Sequence, residues 1–75
     1  MKRLDLHGIT HQQAEVLVYN FLFSNELPVK VITGKSEPMQ EIVKKIIGEN
    51  GMGWHYESSN NFGCLVVTNS IWFRE

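Results

Sequence analysis

The stretch LDLHGIT, residues 4–10, decides the predicted fold of this 75-residue chain. Its leucines alternate with polar residues, which is the pattern of a half-buried strand and predicts β-structure over residues 3–7. Gly8 interrupts that strand. Thr10, followed three residues later by Gln13, then has the capping-box pattern that begins a helix. The stretch therefore predicts a strand that turns directly into a helix, with an acid and an imidazole close to the turn.

The rest of the chain alternates in the same way. Apolar residues after Thr10 recur at helical spacing (Ala14, Leu17, Val18, Phe21 and Leu22), and this first helix should end near residues 24–25, before Pro28. Residues 29–34, VKVITG, are β-branched and predict a second strand. Ser36 begins a second helix that closes at residues 50–51. Two final strands are predicted over residues 54–58 and 64–68, joined by the turn SNNFG.

This order, β-α-β-α-β-β, predicts a single α/β domain over residues 1–75. Each strand-helix-strand unit should cross over right-handedly and pair its two strands in parallel, and the last two strands should form an antiparallel hairpin. The expected architecture is a two-layer sandwich of one mixed four-stranded sheet and two helices.

Composition restricts the classes of protein to consider. With 43% hydrophobic residues the chain is globular, and its single cysteine excludes an internal disulfide framework. No apolar run approaches the roughly 18 residues of a membrane span, and no secretory signal is evident, so a cytoplasmic protein without membrane contact is expected. The net charge of −1 means that any contact with nucleic acid needs locally clustered positive charge.

The predicted topology brings two polar segments together. In open α/β sheets ligands bind beyond the carboxyl ends of parallel strands. Asp5, His7 and Gly8 follow the first strand, and residues 33–36 follow the second. Each segment leads into a helix N-terminus, where unpaired backbone N–H groups attract anions. Lys35 adds a full positive charge, so the sequence predicts a phosphate site at this edge.

Other kinds of site fit the sequence less well. The TGKS segment lacks the first glycine of a nucleotide-binding P-loop, because Val29 stands at that position. No metal site is predicted: His7 and His11 do not share a helical face, and Asp5 and Glu37 are the only carboxylates near the edge. No cofactor is therefore expected, and a divalent metal ion stays an open alternative that no ligand cluster supports. Asp5 could also serve only to cap backbone N–H groups, and that alternative stays open.

The order and spacing of these motifs resemble the small MutS-related (Smr) domain. The resemblance rests on LDLHGIT, a helix containing AEVLVYNFL, a strand ending in VITGKS and the hairpin SNNFGCLVVT, and it covers essentially the whole chain. It implies a fold like that of the C-terminal domain of bacterial translation initiation factor three. It also implies an endonuclease or nicking nuclease that acts on RNA or on branched or duplex DNA. Thr33 and Ser36 depart from the family's usual histidine and glycine.

The resemblance assigns the catalytic acid and imidazole to Asp5 and His7, and the basic loop position to Lys35. The predicted nucleic-acid-binding residues are Lys2, Arg3, Gly8, Thr10, Thr33, Gly34, Ser36 and Asn61. Proton transfer by His7 without a metal ion is the leading hypothesis, since carboxylates are scarce. The second hypothesis is a non-catalytic nucleic-acid-binding module that uses the same crevice. The third is a homodimer formed through Ile71, Trp72 and Phe73 or through a sheet edge.

Overall fold

The structure of the protein is a computed structural model that describes residues 1–69. It contains the six predicted elements in the predicted order and confirms the α/β class with a mixed four-stranded sheet. The elements are β1 (Arg3–Asp5), α1 (His11–Ser24), β2 (Val29–Ile32), α2 (Glu37–Glu49), β3 (Gly53–Ser58) and β4 (Asn61–Thr68). Neither of these helices is long and apolar enough to cross a membrane.

The sheet has the strand order β1-β2-β4-β3. β1 and β2 pair in parallel, whereas β4 runs antiparallel to both β2 and β3. The expectation that β2 and β3 form a neighbouring parallel pair is therefore wrong, because β4 lies between them. β4 is the strand with four consecutive buried residues, 64–67. A strand that is buried on both faces is favoured in the centre of the sheet, so it takes the position beside β2.

Both helices lie on one face of the sheet. The two crossovers, through α1 and through α2, move in the same direction across the sheet, and right-handed connections then place both helices on the same side. The helices contact each other above the strands. The core beneath them is formed by Leu6, Ala14, Val18, Leu22, Val29, Val31, Met39, Val43, Ile47, Leu65 and Val67. The opposite face of the sheet carries no helix among residues 1–69.

The buried stripe of α1 differs in part from the predicted one. Ala14, Val18 and Leu22 are buried, as expected, but Leu17 remains 39% exposed. Three further apolar side chains also face outward: Val16, Tyr19 and Phe23. Apolar residues occur nearly all around this helix, so their spacing alone could not identify which face packs against the sheet.

The predicted helix ends are confirmed. Thr10 Oγ1 accepts a hydrogen bond from the Gln13 N–H at 3.2 Å, and Gln13 Oε1 accepts one from the Thr10 N–H at 3.4 Å, which completes the capping box. Ser36 Oγ accepts from the Met39 N–H at 3.3 Å and caps α2. Gly51, with a φ of 71°, follows the last turn of α2.

Three predicted strand boundaries are wrong by two residues or more, and one is the end of β2, which lies at Ile32 rather than at residue 34. β1 ends at Asp5 rather than at residue 7, because the Asp5 carboxylate accepts the His7 N–H and turns the chain. β4 begins at Asn61 rather than at Cys64, so the connecting turn is only Ser59 and Asn60. The register shifts between Tyr56 and Ser58, and this bulge accommodates extra residues of β4.

Candidate functional site

The carboxyl ends of β1 and β2 are neighbours, as the sequence predicts. Asp5 lies opposite Ile32 in the parallel register, and the Leu6 N–H donates to the Ile32 carbonyl at 2.9 Å. Beyond this point the two chains diverge into loops over residues 6–10 and 33–36, each of which leads into a helix. We call these loops, with Asp5 and the first residue of α2, the carboxyl edge.

The first loop holds His7 by its backbone. Asp5 Oδ1 accepts a hydrogen bond from the His7 N–H at 2.9 Å, and the Ile9 N–H donates to the Leu6 carbonyl at 3.1 Å. Gly8 adopts a φ of 76°, a conformation that favours glycine. The imidazole itself is exposed. Asp5 therefore fixes the turn from which the ring projects, rather than the ring.

The second loop is anchored to β4. The N–H groups of Thr33 and Gly34 both donate to the Gly63 carbonyl, at 2.8 Å and 3.0 Å. The Thr33 hydroxyl donates to the Gly34 carbonyl at 2.8 Å, and the Thr33 side chain is buried. Because both N–H groups have partners within the protein, Thr33 and Gly34 shape the loop. Their amides are not free to bind phosphate.

Gln40 is a second anchor of this loop that the sequence reasoning missed. Its Nε2 donates to the Gly34 carbonyl at 3.1 Å and to the Phe62 carbonyl at 2.6 Å, so one amide joins the loop to the hairpin. The side chain is buried, at 8% exposure. A glutamine beside the apolar stripe of a helix is common, and its sequence position gives no signal of these partners.

Free backbone donors remain at both helix N-termini. Among residues 1–69, no hydrogen bond engages the N–H groups of Lys35 and Glu37, or those of His11 and Gln12. The positive ends of the two helix dipoles lie at the same edge. Lys35 is exposed there, although the exposed carboxylates of Asp5 and Glu37 offset its charge. The edge therefore offers directed N–H donors more than net positive charge.

Two predicted contact residues lie away from the carboxyl edge. Lys2 is at the opposite end of β1, where its carbonyl accepts the Lys30 N–H at 2.9 Å. Arg3 lies beside Lys30 in the β1–β2 register and lines a depression of about 250 Å³ on the sheet. The structure thus brings neither of these cations to the loops that hold His7 and Lys35.

Asn61 is at the hairpin, and its side chain is used inside it. Its Nδ2 donates to Glu57 Oε1 at 2.9 Å, and its Oδ1 accepts from the Gly63 N–H at 3.1 Å. Asn61 therefore stabilises the bulged start of β4. The other predicted interaction surface, formed by Ile71, Trp72 and Phe73, lies outside the described residues.

An ion pair on the sheet accounts for two of the three resolved pKa shifts. The Lys30 ammonium donates to the Glu57 carboxylate, which lowers the pKa of Glu57 and raises the pKa of Lys30. Burial raises the pKa of the neighbouring Cys64 thiol, and the Glu57 charge raises it further. This thiol is held in its protonated form, so the face carries a structural ion pair rather than a reactive cysteine.

The aromatic residues of the hairpin form a continuous row. Trp54 and Tyr56 are half-buried and pack against the core, with Lys44 Nζ 4.5 Å from the centre of the Trp54 ring. Lys44 also donates to the Tyr56 hydroxyl at 3.3 Å, so it is engaged in packing. Phe62 packs edge-on against Tyr56 with ring centres 4.9 Å apart, yet Phe62 is 52% exposed.

Two further features complete the description of the surface. Within residues 1–69, no group of three or more histidine, cysteine, aspartate or glutamate side chains is placed to hold a metal ion. A groove of about 550 Å³ separates the helices, with Tyr19 and Ile46 among its apolar lining residues. Glu15, Glu41 and Glu49 also line it. These three carboxylates outnumber the one lysine that lines the groove, Lys45, so the groove is unfavourable for a phosphate.

Comparison with known proteins gives little evidence of ancestry. No family model matches the chain, and no solved structure matches it. Over 82 aligned residues the chain is 29% identical to the peroxisomal butyrate–CoA ligase AAE11 of Arabidopsis thaliana. That alignment covers 99% of this chain and 14% of the ligase, so the chain spans about one seventh of its relative's length. The resemblance to the Smr domain stays a prediction.

Proposed function

We propose that this domain is an endonuclease that binds a nucleic-acid phosphate at the carboxyl edge and cleaves the adjoining phosphodiester. One observation carries the proposal. The adjacent ends of parallel strands β1 and β2 place an exposed imidazole and an exposed ammonium beside two helix N-termini with unpaired N–H groups. Such N–H groups can donate hydrogen bonds to an anion without rearrangement of the backbone.

His7 is the proposed general base. Its imidazole is exposed, and histidine is the side chain that most often acts as a general acid or base in enzymes. On RNA, the ring accepts the proton of a 2′-hydroxyl while that oxygen bonds to phosphorus. The bond from phosphorus to the 5′-oxygen then breaks, and the departing oxygen takes a proton from water. The products are a cyclic 2′,3′-phosphate and a free 5′-hydroxyl.

The remaining residues of the carboxyl edge position His7 or interact with the charge of the phosphate. Asp5 is a positioning residue, because its carboxylate holds the His7 N–H at 2.9 Å and fixes the turn. The Lys35 ammonium and the free N–H groups of Lys35 and Glu37 stabilise the negative charge that develops on the phosphoryl oxygens. Glu37 opposes this effect. We therefore expect modest affinity that weakens as salt is added.

Cleavage by the purified full chain tests this proposal. The substrates are end-labelled single-stranded RNA, an RNA hairpin and branched DNA, each with and without EDTA. His7→Ala is compared with His55→Ala, which removes an exposed imidazole that lies on the sheet and whose Nδ1 contacts the Tyr56 carbonyl. We expect cleavage by the wild type and by His55→Ala, and its loss in His7→Ala. Undiminished cleavage by His7→Ala would show that the assignment is wrong.

Two alternative functions use the same site. Binding without cleavage on every substrate would favour the non-catalytic nucleic-acid-binding module. The likeness to the butyrate–CoA ligase favours a different phosphate ligand, coenzyme A, held by the same N–H groups. Competition between a labelled oligonucleotide and coenzyme A distinguishes these ligands. Low concentrations of coenzyme A displace the oligonucleotide only if the site is specific for coenzyme A.

A further inference from the structure

We infer that Phe62 is a stacking platform for an unpaired base, and that the substrate is single-stranded beside the phosphate bound at the carboxyl edge. This inference rests on the proposed function, because it extends the same site by one residue. It assigns a specificity-determining role to a side chain that the sequence analysis placed only within a turn.

The bulge in the β3–β4 hairpin determines where Phe62 points. Tyr56 pairs with Leu65 and Ser58 with Asn61, so a single residue of β3 faces three residues of β4. Extra residues in one strand interrupt the strict alternation of side chains and redirect them. The result is that the Phe62 ring contacts Tyr56, which lies on the helix-covered face of the sheet. The redirection therefore places the ring on the face of the sheet that the helices cover, while the Phe62 carbonyl accepts from Gln40 of α2.

The Phe62 ring packs against another aromatic ring and is also accessible to solvent. Its ring meets Tyr56 at 4.9 Å and 85°, and Tyr56 in turn meets Trp54 at 5.2 Å and 73°. These edge-to-face contacts hold the ring in one orientation. The side chain nevertheless remains 52% exposed. A large, oriented and accessible aromatic surface is the feature on which bases stack in single-strand-binding proteins.

The platform is tied directly to the phosphate site. Gln40 Nε2 bridges the carbonyls of Phe62 and Gly34, so Phe62 is one hydrogen-bonded group away from the loop that carries Lys35. A cation with free N–H groups in a loop that is linked to the backbone of an exposed aromatic residue offers the two contacts that bind single strands, one to phosphate and one to a base. In a continuous duplex the bases are already stacked on each other, which leaves no ring face for Phe62.

A second exposed phenylalanine provides a matched control. Phe23 is 55% exposed and packs against Tyr19 at 4.8 Å, so its exposure and its aromatic support are similar. It lies in the last turns of α1, whereas the carboxyl edge adjoins the first turn. Replacing Phe23 removes the same amount of aromatic surface at a distance from the predicted site.

The test measures binding of fluorescent oligonucleotides to the full chain by anisotropy, with His7→Ala as the parent so that the strand stays intact. The ligands are single-stranded RNA, single-stranded DNA, a duplex and an abasic strand of equal length. Phe62→Ala, Phe62→Leu and Phe62→Tyr are compared with Phe23→Ala, and thermal unfolding confirms that each variant folds. Phe62→Leu keeps an apolar side chain without a ring, so it separates stacking from hydrophobic support of the hairpin.

We expect Phe62→Ala and Phe62→Leu to weaken single-strand binding by roughly 5- to 150-fold, and Phe62→Tyr to retain it. Phe23→Ala should bind like the parent, and the abasic strand should bind all variants equally. Equal binding of single strands by the parent and by both Phe62→Ala and Phe62→Leu would overturn the platform while leaving the phosphate site intact. Failure of the parent to bind any strand would overturn the proposed function itself.

Discussion

The substitution Gln40→Leu tests how the loop of the carboxyl edge is held in place. Leucine has a similar size and suits the buried face of α2, but it removes the hydrogen bonds to the Gly34 and Phe62 carbonyls. It also removes the long contact, at 3.5 Å, that Gln40 Oε1 accepts from the Tyr56 hydroxyl. A neutral hydrogen bond contributes about 0.5–1.5 kcal/mol net. The Gly34 carbonyl keeps the bond from the Thr33 hydroxyl, whereas Phe62 loses its side-chain partner. We therefore expect a destabilisation of about 2 kcal/mol.

Thermal unfolding measures this loss. For a domain of this size 1 kcal/mol changes the Tm by about 4–8 °C, so Gln40→Leu should lower the Tm by roughly 8–16 °C. Gln12→Leu is the matched control, because Gln12 is exposed on α1 and makes no hydrogen bond through its side chain within residues 1–69. That control should stay within about 0.5 kcal/mol of the wild type. A Tm for Gln40→Leu equal to that of Gln12→Leu would refute the anchoring role.

Two further predictions concern stability. Gly63→Ala should destabilise by about 1–3 kcal/mol in urea unfolding, since its Cβ would lie 3.2 Å from the Gly34 backbone, whereas Gly48→Ala should stabilise by about 0.5–1 kcal/mol because nothing lies near its Cβ in α2. If both changed stability equally, the close approach would be disproved. Lys30 lowers the pKa of Glu57, so the ion pair stabilises the fold above the ordinary value of 4.5 and is lost as pH falls through the lowered value. Glu57→Gln should therefore be less stable than the wild type at neutral pH and approach it in acid. A difference that persists below the lowered pKa would contradict this.

Short-range sequence patterns predicted most of the fold. The capping pair of Thr10 and Gln13 and the cap at Ser36 are short-range hydrogen-bond patterns, and both form as expected. The strand order was less accessible, because it depends on which strand has both faces buried. β4 rather than β3 takes the position beside β2 because β4 is the more deeply buried strand, and this burial depends on the whole sheet. The bulge at the start of β4 depends on a similar long-range fit and was missed.

The candidate site was predictable in place but not in detail. The carboxyl ends of β1 and β2 adjoin, so Asp5 at the end of β1 and the loop residues His7 and Lys35 lie at one edge, as the topology implied. The partners of Thr33 and Gly34 were not predictable, because Gly63 is about thirty residues away in the chain. Gln40 was missed for the same reason. Long-range hydrogen bonds of this kind leave no periodic pattern in a sequence.

Backbone amide NMR tests whether the carboxyl edge binds a nucleic-acid phosphate. The ¹⁵N-labelled His7→Ala chain is titrated with a short single-stranded RNA. We predict that the largest shift changes occur at the N–H groups of residues 11–12 and 35–37, and that residues 24–28 at the opposite edge stay unchanged. If the largest shift changes occurred at that opposite edge or in the groove between the helices, the proposed phosphate site would be wrong. The absence of any shift change would also contradict it.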